Sequence, residues 1–305
     1  MAFLGWKEIR EDKFDIKQYL KTGTKLDKYI IGFGLSHLVI ITGLRASGKT
    51  SFVGNIICEM IHNGIKGLLC SFEMKCSRTK NWIRRQFLGK DNLKEVKLES
   101  GNIIYEPKND TIMNIADDII DKYLYTYDNK SFKLDEVSRQ IKEKLNEDKS
   151  IKYLVLDNLM KLDNEVLSED EYKAQALLVK RFQVFAQQNN ITIILVAHPS
   201  KTKGLIRLCD IKGSGTIADA SDTVIITHRN NDDFRIAAKE YFGWKVGSKE
   251  LQFNNILEIA KDREFGNDGI FCGMYFEPKA KRMLNEIDEN KDFLKPRQQK
   301  IEEIK

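Results

Sequence analysis

Short apolar runs alternate with amphipathic segments through the first two thirds of the chain. Runs of strand length occupy residues 37–42, 67–72, 153–157 and 191–196. Apolar residues between these runs recur at helical spacing, most clearly over residues 52–61, 111–122, 135–146 and 172–188. Strands and helices therefore alternate along the chain, which predicts an α/β fold with a largely parallel sheet and helices on both faces.

The pattern changes after residue 210. Three further strand-like runs follow at close spacing, at residues 222–229, 255–263 and 270–278. Their spacing favours antiparallel strands joined by hairpins. We expect residues 1–25 to form an N-terminal arm or linker, residues 26–284 to form one domain, and the charged residues 285–305 to form a flexible tail.

A glycine-rich segment follows the first strand-like run. "GLRASGKT" over residues 43–50 fits G-x-x-x-x-G-K-[ST], in which backbone N–H groups and the lysine hold phosphates and the hydroxyl binds magnesium. A strand before it and a helix after it aim the helix dipole at the bound anion. The alternative is a glycine turn with a coincidental lysine. The nucleotide-binding candidates are Gly43, Ala46, Ser47, Gly48, Lys49, Thr50 and Ser51.

Three further polar residues stand at the ends of strand-like runs. Asp157 ends "YLVLD", where a carboxylate could hold Mg²⁺ together with Thr50. Glu73 follows "GLLCSF", where a carboxylate could polarise the attacking water; an acid favoured by a helix N-terminus is an equal alternative. His198 ends "ITIILVAH" and could sense the γ-phosphate, although for His198 taken alone a polar residue that closes a strand is the better explanation.

Basic residues cluster after His198. The segment is rich in Gly, Ser and Pro and poor in acids, so it suits a nucleic-acid backbone, although a solvated lysine-rich loop is the plainer alternative. No aromatic residue interrupts it, which favours gripping of the backbone over base stacking. The nucleic-acid candidates are Lys201, Lys203, Arg207, Lys212, Gly213 and Gly215.

Composition narrows the class of protein. The chain has 305 residues, is 42% hydrophobic and carries a net charge of +5, which permits a nucleic-acid partner without requiring one. Five cysteines without C-x-x-C spacing indicate buried thiols rather than disulfides or zinc ligands. No signal-like or membrane-spanning run is present. We therefore expect a soluble protein of the cytoplasm of a bacterial or phage-infected cell.

Together the motifs resemble a known family. "GLRASGKTSF", "CSFEM", "YLVLDN", "ILVAHPSKTKG", "DIKGSGTIADASDTVIITHR" and "AKDREFGNDG" occur in the order found in the RecA-type motor domain of ring-shaped replicative DNA helicases. That group includes the DnaB-like helicases, the phage primase-helicases and Twinkle. The resemblance covers residues 26–283, and the late "K-x-R-x-x-G-x-x-G" segment is among its most specific parts.

The resemblance implies specific roles. Glu73 would activate water, Asp157 would support the metal, and His198 would sense the γ-phosphate. Arg263, with Lys261, would reach the nucleotide of the neighbouring subunit. ATP and Mg²⁺ would drive a homo-hexamer 5′ to 3′ along single-stranded DNA and through forked duplex, alongside a primase, polymerase or loader partner.

Two other functions fit the same residues. A RecA- or RadA-like recombinase, or another DNA-dependent ATPase of this fold, would share the nucleotide site and a DNA-binding loop. A small-molecule kinase would share only the phosphate loop. The kinase is the weaker alternative because no acceptor site is visible in the sequence.

Overall fold

The computed structural model describes residues 14–158, 171–199, 204–211, 219–245, 247–289 and 291–295, without the side chains of residues 171–176. Its strands, in chain order, are β1 (Tyr19–Leu20), β2 (Phe33–Gly34), β3 (Leu38–Gly43), β4 (Lys66–Ser71), β5 (Leu93–Lys97), β6 (Ile103–Pro107), β7 (Leu124–Thr126), β8 (Ile151–Asp157), β9 (Thr192–Val196), β10 (Thr223–Arg229), β11 (Asn255–Asp262), β12 (Ile270–Glu277) and β13 (Arg282–Leu284).

The helices of the described residues alternate with these strands and cover the sheet. They are α1 (Asp27–Ile30), α2 (Lys49–His62), α3 (Cys76–Leu88), α4 (Asp110–Tyr123), α5 (Leu134–Glu147), α6 (Glu171–Asn189) and α7 (Asp232–Phe242). None of the helices in this part of the chain is both long and apolar enough to cross a membrane.

Nine strands form the central sheet, in the order β13-β12-β11-β10-β3-β9-β8-β4-β7. The six strands from β10 to β7 run parallel. Strands β11, β12 and β13 extend the β10 side in antiparallel pairs. The predicted α/β architecture, with antiparallel strands towards the C-terminus, is confirmed.

The sheet separates two hydrophobic cores. Successive side chains of a strand point to opposite faces, so in β3 Val39 and Ile41 face one core whereas Leu38 and Ile40 face the other. Helices α2, α3 and α4 close the first core, and α5 and α6 close the second. All four of these β3 residues are fully buried, which explains the continuous apolar run in the sequence.

Two elements depart from the sequence prediction. Residues 93–107 contain the antiparallel pair β5 and β6, whose side chains are mostly exposed and show no clean alternation. The connection from β10 to β11 is not a hairpin but contains α7. The side chain of Asn231 caps α7 by accepting from Phe234 N, and Gly243 ends it with φ 67°. These cap residues are the signal in the sequence for this helix.

The chain segments beside the domain also pack onto it. Strand β1 pairs with β2, and Leu20 is buried. Phe293, within the predicted tail, is 7% exposed and stacks on Phe87 with a centroid separation of 5.6 Å. All five cysteines are free, but Cys209 is exposed and Cys76 half-buried, so the expectation of five buried thiols is wrong for these two.

Candidate nucleotide-binding and catalytic site

The carboxyl ends of the parallel strands bring four of the predicted site residues together, Lys49, Glu73, Asp157 and His198. Strand β3 ends at Gly43 and leads into α2. Its neighbour β9 leads to His198, the next strand β8 ends at Asp157, and β4 leads to Glu73. Ligands of parallel sheets collect at this edge, and it brings together residues that are widely separated in the sequence. This edge is called the nucleotide edge below.

Glycines in the phosphate loop allow close packing under it. Gly48 has φ 98°, a conformation that side chains disfavour. A Cβ at Gly48 would clash with the methyl group of Met283, and one at Gly43 would clash with Thr227 and Ser47. The loop is therefore pressed against the C-terminal strands, which hold its shape.

Two residues that sequence reasoning missed support the same loop. Thr227, at the end of β10, places its hydroxyl 2.7 Å from the hydroxyl of Ser47. Asn255, at the start of β11, donates from Nδ2 to the carbonyl of Ser47 at 2.8 Å. Both come from strands about 180 residues or more along the chain, and neither carries a local sequence signal, so only the fold reveals them.

Lys49 is the buried cation of the loop. Its ammonium donates to the carbonyls of Gly43 at 2.7 Å and Leu44 at 2.8 Å. Burial lowers the pKa of Lys49 to about 8, opposed by the charges of Glu73 and Asp157. A phosphate would add further negative charge and so favour the protonated form.

The carboxylate of Glu73 is held between two hydrogen-bond donors. Its Oε1 accepts from Asn158 Nδ2 at 3.0 Å and from His198 Nε2 at 3.0 Å. Burial raises the pKa of Glu73, but the hydrogen bonds from His198 and Asn158 and the charge of Lys49 outweigh it and lower the pKa below its usual value. The carboxylate is thus ionised at neutral pH.

These contacts favour a role of Glu73 in the site over the helix-end interpretation. Helix α3 begins at Cys76 with Lys75 as its cap, and its first turn contains no acid. The carboxylate of Glu73 instead joins β9 to β8 through His198 and Asn158. Asn158 was missed by sequence reasoning, although it directly follows Asp157.

Asp157 is a buried carboxylate at the same edge, 5% exposed. Burial raises the pKa of Asp157 to about 6, the charge of Glu73 adds to this rise, and the charge of Lys49 opposes it. A divalent cation would remove this penalty. Carboxylate and hydroxyl oxygens are ligands that Mg²⁺ accepts, so Asp157 and the half-buried Thr50 fit a metal held mainly by nucleotide phosphates.

Lys261 and Arg263 lie at the opposite edge of the sheet, at the amino ends of the parallel strands. The register pairs Thr223 with Val39 and with Asp262, whereas Thr227 pairs with Gly43. Four residues of strand therefore separate Arg263 from the phosphate loop of its own subunit, a distance of about 13 Å along the strand. The Arg263 side chain is 46% exposed.

A comparison with known proteins shows the family to which the chain belongs. Residues 20–285 match the DnaB-like helicase C-terminal domain family. The chain belongs to that family. The predicted resemblance to the motor domain of ring-shaped replicative helicases is thereby confirmed.

Curated relatives of this DnaB-like domain include two helicases. The chain is 24% identical over 214 residues to the replicative DNA helicase DnaB of Helicobacter pylori strain ATCC 700392 / 26695, which covers 67% of the chain and 42% of that protein. It is 29% identical over 213 residues to the Arabidopsis thaliana Twinkle homolog, which covers 64% of the chain and 28% of that protein. The chain thus spans less than half the length of both relatives.

A solved structure has the same fold. A DnaB-like replicative helicase, described together with its interactions with primase, superimposes on this domain with a TM-score of 0.68. The match covers 87% of this chain and 61% of that one at 15% identity. This likeness confirms the RecA-like fold, with its sheet and flanking helices.

The predicted nucleic-acid residues of this DnaB-like domain are only partly described. Arg207 is exposed, and its guanidinium lies over the ring of Tyr241 in α7, 5.0 Å from the centroid. Lys201, Lys203, Lys212, Gly213 and Gly215 lie outside the described residues. The sequence segment lacks aromatics, but the fold supplies one from α7.

Lys49→Ala should abolish ATP hydrolysis, by about 10²–10³-fold or more, because it removes the positive charge facing the phosphates. The fold should persist, since the lost contacts are two hydrogen bonds to loop carbonyls. Steady-state ATPase assays and thermal unfolding measure both effects. Lys66→Ala, at the far end of β4, is the matched control and should hydrolyse ATP normally. Normal hydrolysis by Lys49→Ala would contradict the assignment of the phosphate loop to the ATP site.

Asp157→Asn should stabilise the protein without nucleotide or metal while removing activity. Burial raises the pKa of Asp157 to about 6 in the folded state, compared with about 4 in the unfolded chain. The free energy of unfolding therefore falls as the pH rises from about 4 to about 6, and the full loss is present above about pH 6. The gain in unfolding free energy should be of order 1–3 kcal/mol at pH 8. It should shrink as the pH falls to 5. Urea unfolding at both pH values tests this, and an equal gain at both would contradict it.

Proposed function

We propose that this chain is the motor domain of an ATP-driven DNA helicase. It hydrolyses ATP with Mg²⁺, moves 5′ to 3′ along single-stranded DNA as a hexameric ring, and unwinds duplex ahead of it. The observation that carries this proposal is the division of the catalytic groups between two edges. Glu73, His198 and Lys49 lie at the nucleotide edge, whereas Arg263 lies at the opposite one.

Hydrolysis begins at the Glu73 carboxylate. This group is ionised and fixed by Asn158 and His198, so it can accept a proton from a water molecule directed at the γ-phosphate. Lys49 neutralises charge on the phosphate oxygens. When bound, Mg²⁺ supplies electrostatic stabilisation of the phosphates, and Thr50 and Asp157 are the residues that would hold it.

The position of Arg263 supports a site shared between subunits. Its own phosphate loop lies about 13 Å away along the sheet, and its side chain is half-exposed. In a ring, the nucleotide edge of one subunit can meet the opposite edge of the next. Arg263 then reaches a phosphate that its own subunit does not hold, and ATP hydrolysis depends on assembly.

His198 links the nucleotide to DNA. It bonds to Glu73 and directly precedes the basic segment that begins at Pro199. A change at the γ-phosphate alters the charge that Glu73 and His198 face, and the chain after His198 moves with it. Hydrolysis is thereby converted into displacement of the DNA strand.

The basic segment should supply the salt-dependent part of DNA binding. Replacing Lys201, Lys203 and Lys212 together by Ala should weaken single-strand binding and reduce the slope of log K against log salt by roughly 0.7 per lost phosphate contact. Basal ATPase should remain and its stimulation by DNA should fade. Fluorescence anisotropy at several salt concentrations measures the slope. An unchanged slope would place the DNA elsewhere.

The whole assembly extends beyond this domain. A primase, polymerase or loader partner would act with the ring at a forked duplex in the cytoplasm of a bacterial or phage-infected cell. The resemblance supports this part of the proposal, and so does the solved DnaB-like helicase of the same fold, which interacts with primase.

Unwinding of a forked duplex tests the function. The protein with ATP and Mg²⁺ should displace a labelled strand from a fork with a free 5′ single-stranded tail, and should do so poorly without that tail. Strand exchange between homologous duplexes should be absent. Exchange without unwinding would favour the recombinase alternative. ATP hydrolysis that DNA does not stimulate would contradict the motor assignment.

A further inference from the structure

The basic segment connects the two edges of the sheet. We define the crossover segment as residues 199–222, between β9 and β10. Both strands run parallel to β3, and β9 ends level with Ile41 whereas β10 begins level with Val39. The crossover segment therefore starts beside His198 at the nucleotide edge and finishes at the opposite edge, where Arg263 lies.

Lys261 in β11 and Arg263, which directly follows β11, hold the end of the crossover segment. Arg263 donates from Nη1 to Asp222 Oδ1 at 2.9 Å and from Nη2 to the carbonyl of Asp219 at 2.5 Å. Its backbone N–H donates to the carbonyl of Asp222 at 2.9 Å. Lys261 donates to the carbonyl of Ser221 at 2.8 Å. Sequence reasoning assigned Arg263 to the nucleotide but did not find this clamp.

Asp222 is itself fixed to the central sheet. Its Oδ2 accepts from the backbone N–H of Leu38 at 2.8 Å, and its own N–H donates to the carbonyl of Leu38. The Asp222 side chain is 11% exposed, compared with 46% for Arg263. One carboxylate oxygen is thus anchored to β3 and the other sets the direction of the guanidinium. A guanidinium has five N–H donors, so these two side-chain bonds leave others to reach a phosphate.

We propose that Asp222 is a positioning residue for Arg263 at the nucleotide of the neighbouring subunit. This inference rests on the proposed function. The bonds from the Asp222 carboxylate and the Asp219 carbonyl fix the direction of the guanidinium. The guanidinium that Asp222 orients therefore acts at the neighbour's site, at the edge remote from its own phosphate loop.

A simple surface salt bridge would behave differently. Exposed ion pairs contribute about 0–1 kcal/mol to stability and touch no chemistry. A positioning role predicts a loss of kcat on a neighbouring subunit, with KM for ATP and folding nearly unchanged. Misplacing a catalytic group by about 1 Å can reduce a rate by about 10²-fold.

Mixed rings separate these two interpretations. A minority of wild-type subunits is assembled with an excess of Lys49→Ala subunits, so that the measured hydrolysis comes from wild-type sites beside inactive neighbours. The inactive subunits then carry Asp222→Asn as well. The amide keeps an oxygen for Leu38 N–H but presents no carboxylate to Arg263. The kcat at the wild-type sites should fall about tenfold or more.

Glu264→Gln in the inactive subunits is the matched control. Glu264 follows Arg263 in the chain, but its carboxylate bonds to Tyr19 and His37. The variant removes one negative charge near Arg263 without breaking a bond to it, so kcat should not change. If Asp222→Asn subunits do not fold or assemble, Asp222→Glu replaces them, because it keeps the charge and moves the carboxylate by one methylene. An unchanged kcat with either folded variant overturns the inference.

A third mixture distinguishes failure of this inference from failure of the proposed function. Inactive subunits carrying Arg263→Ala should also lower kcat at the wild-type sites. If Arg263→Ala lowers it and Asp222→Asn does not, Asp222 has no positioning role and the shared site stands. If neither lowers it, the shared site itself is wrong.

Discussion

Glu73→Gln should still bind ATP but hydrolyse it about 10²–10⁴-fold more slowly, the usual contribution of a general base. Glutamine has the size of glutamate and keeps an oxygen that can accept from Asn158 and His198. It cannot take a proton from water. Nucleotide binding is measured with a fluorescent ATP analogue, and hydrolysis is measured by phosphate release.

Glu73→Asp provides the comparison for this prediction. It keeps a basic carboxylate but shortens its reach, so it should retain more activity than Glu73→Gln. Thermal unfolding should show that both variants fold. Wild-type hydrolysis by Glu73→Gln would mean that the carboxylate has no catalytic role, despite its contacts with His198 and Asn158.

Arg263→Ala should lower ATP hydrolysis by about 10³–10⁵-fold, as expected for an arginine that acts on the phosphates of a neighbouring subunit. Its planar fork matches phosphoryl oxygens. The change should leave nucleotide binding to the same subunit intact, because the phosphate loop lies at the other edge of the sheet. Binding and hydrolysis are measured on the same preparation.

Mixing two inactive variants reveals whether Arg263 acts between subunits. An Arg263→Ala subunit keeps its phosphate loop, and a Lys49→Ala subunit keeps its arginine. Some interfaces of a mixed ring should therefore contain one complete site and recover part of the activity. Labelled subunits confirm that mixing occurred. No recovery in confirmed mixtures would contradict action between subunits.

The fold and the positions of the candidate site residues at one edge of the sheet follow from the sequence because their signals are local. Residues 43–50 carry the phosphate-loop spacing, and Glu73, Asp157 and His198 each end an apolar run. Parallel strands then place their carboxyl ends at one edge. This geometry follows from the alternation of strands and helices and needs no knowledge of individual contacts.

The supporting residues depend on pairings between distant strands. Thr227 and Asn255 hold the phosphate loop from the C-terminal strands, and Asp222, directly before β10, holds Arg263, directly after β11. An isolated polar residue at a strand end carries no periodic signal. Helix α7 was also missed, because the close spacing of the flanking strands favours a hairpin over a helix.

Electron microscopy with a non-hydrolysable ATP analogue and single-stranded DNA tests the central claim, that each nucleotide site is completed by a neighbouring subunit. We predict a ring of six subunits around the DNA, with Arg263 of each subunit at the phosphates bound by Lys49 of the next. Monomers, an open filament, or a ring in which Arg263 faces away from the neighbouring nucleotide would contradict the account.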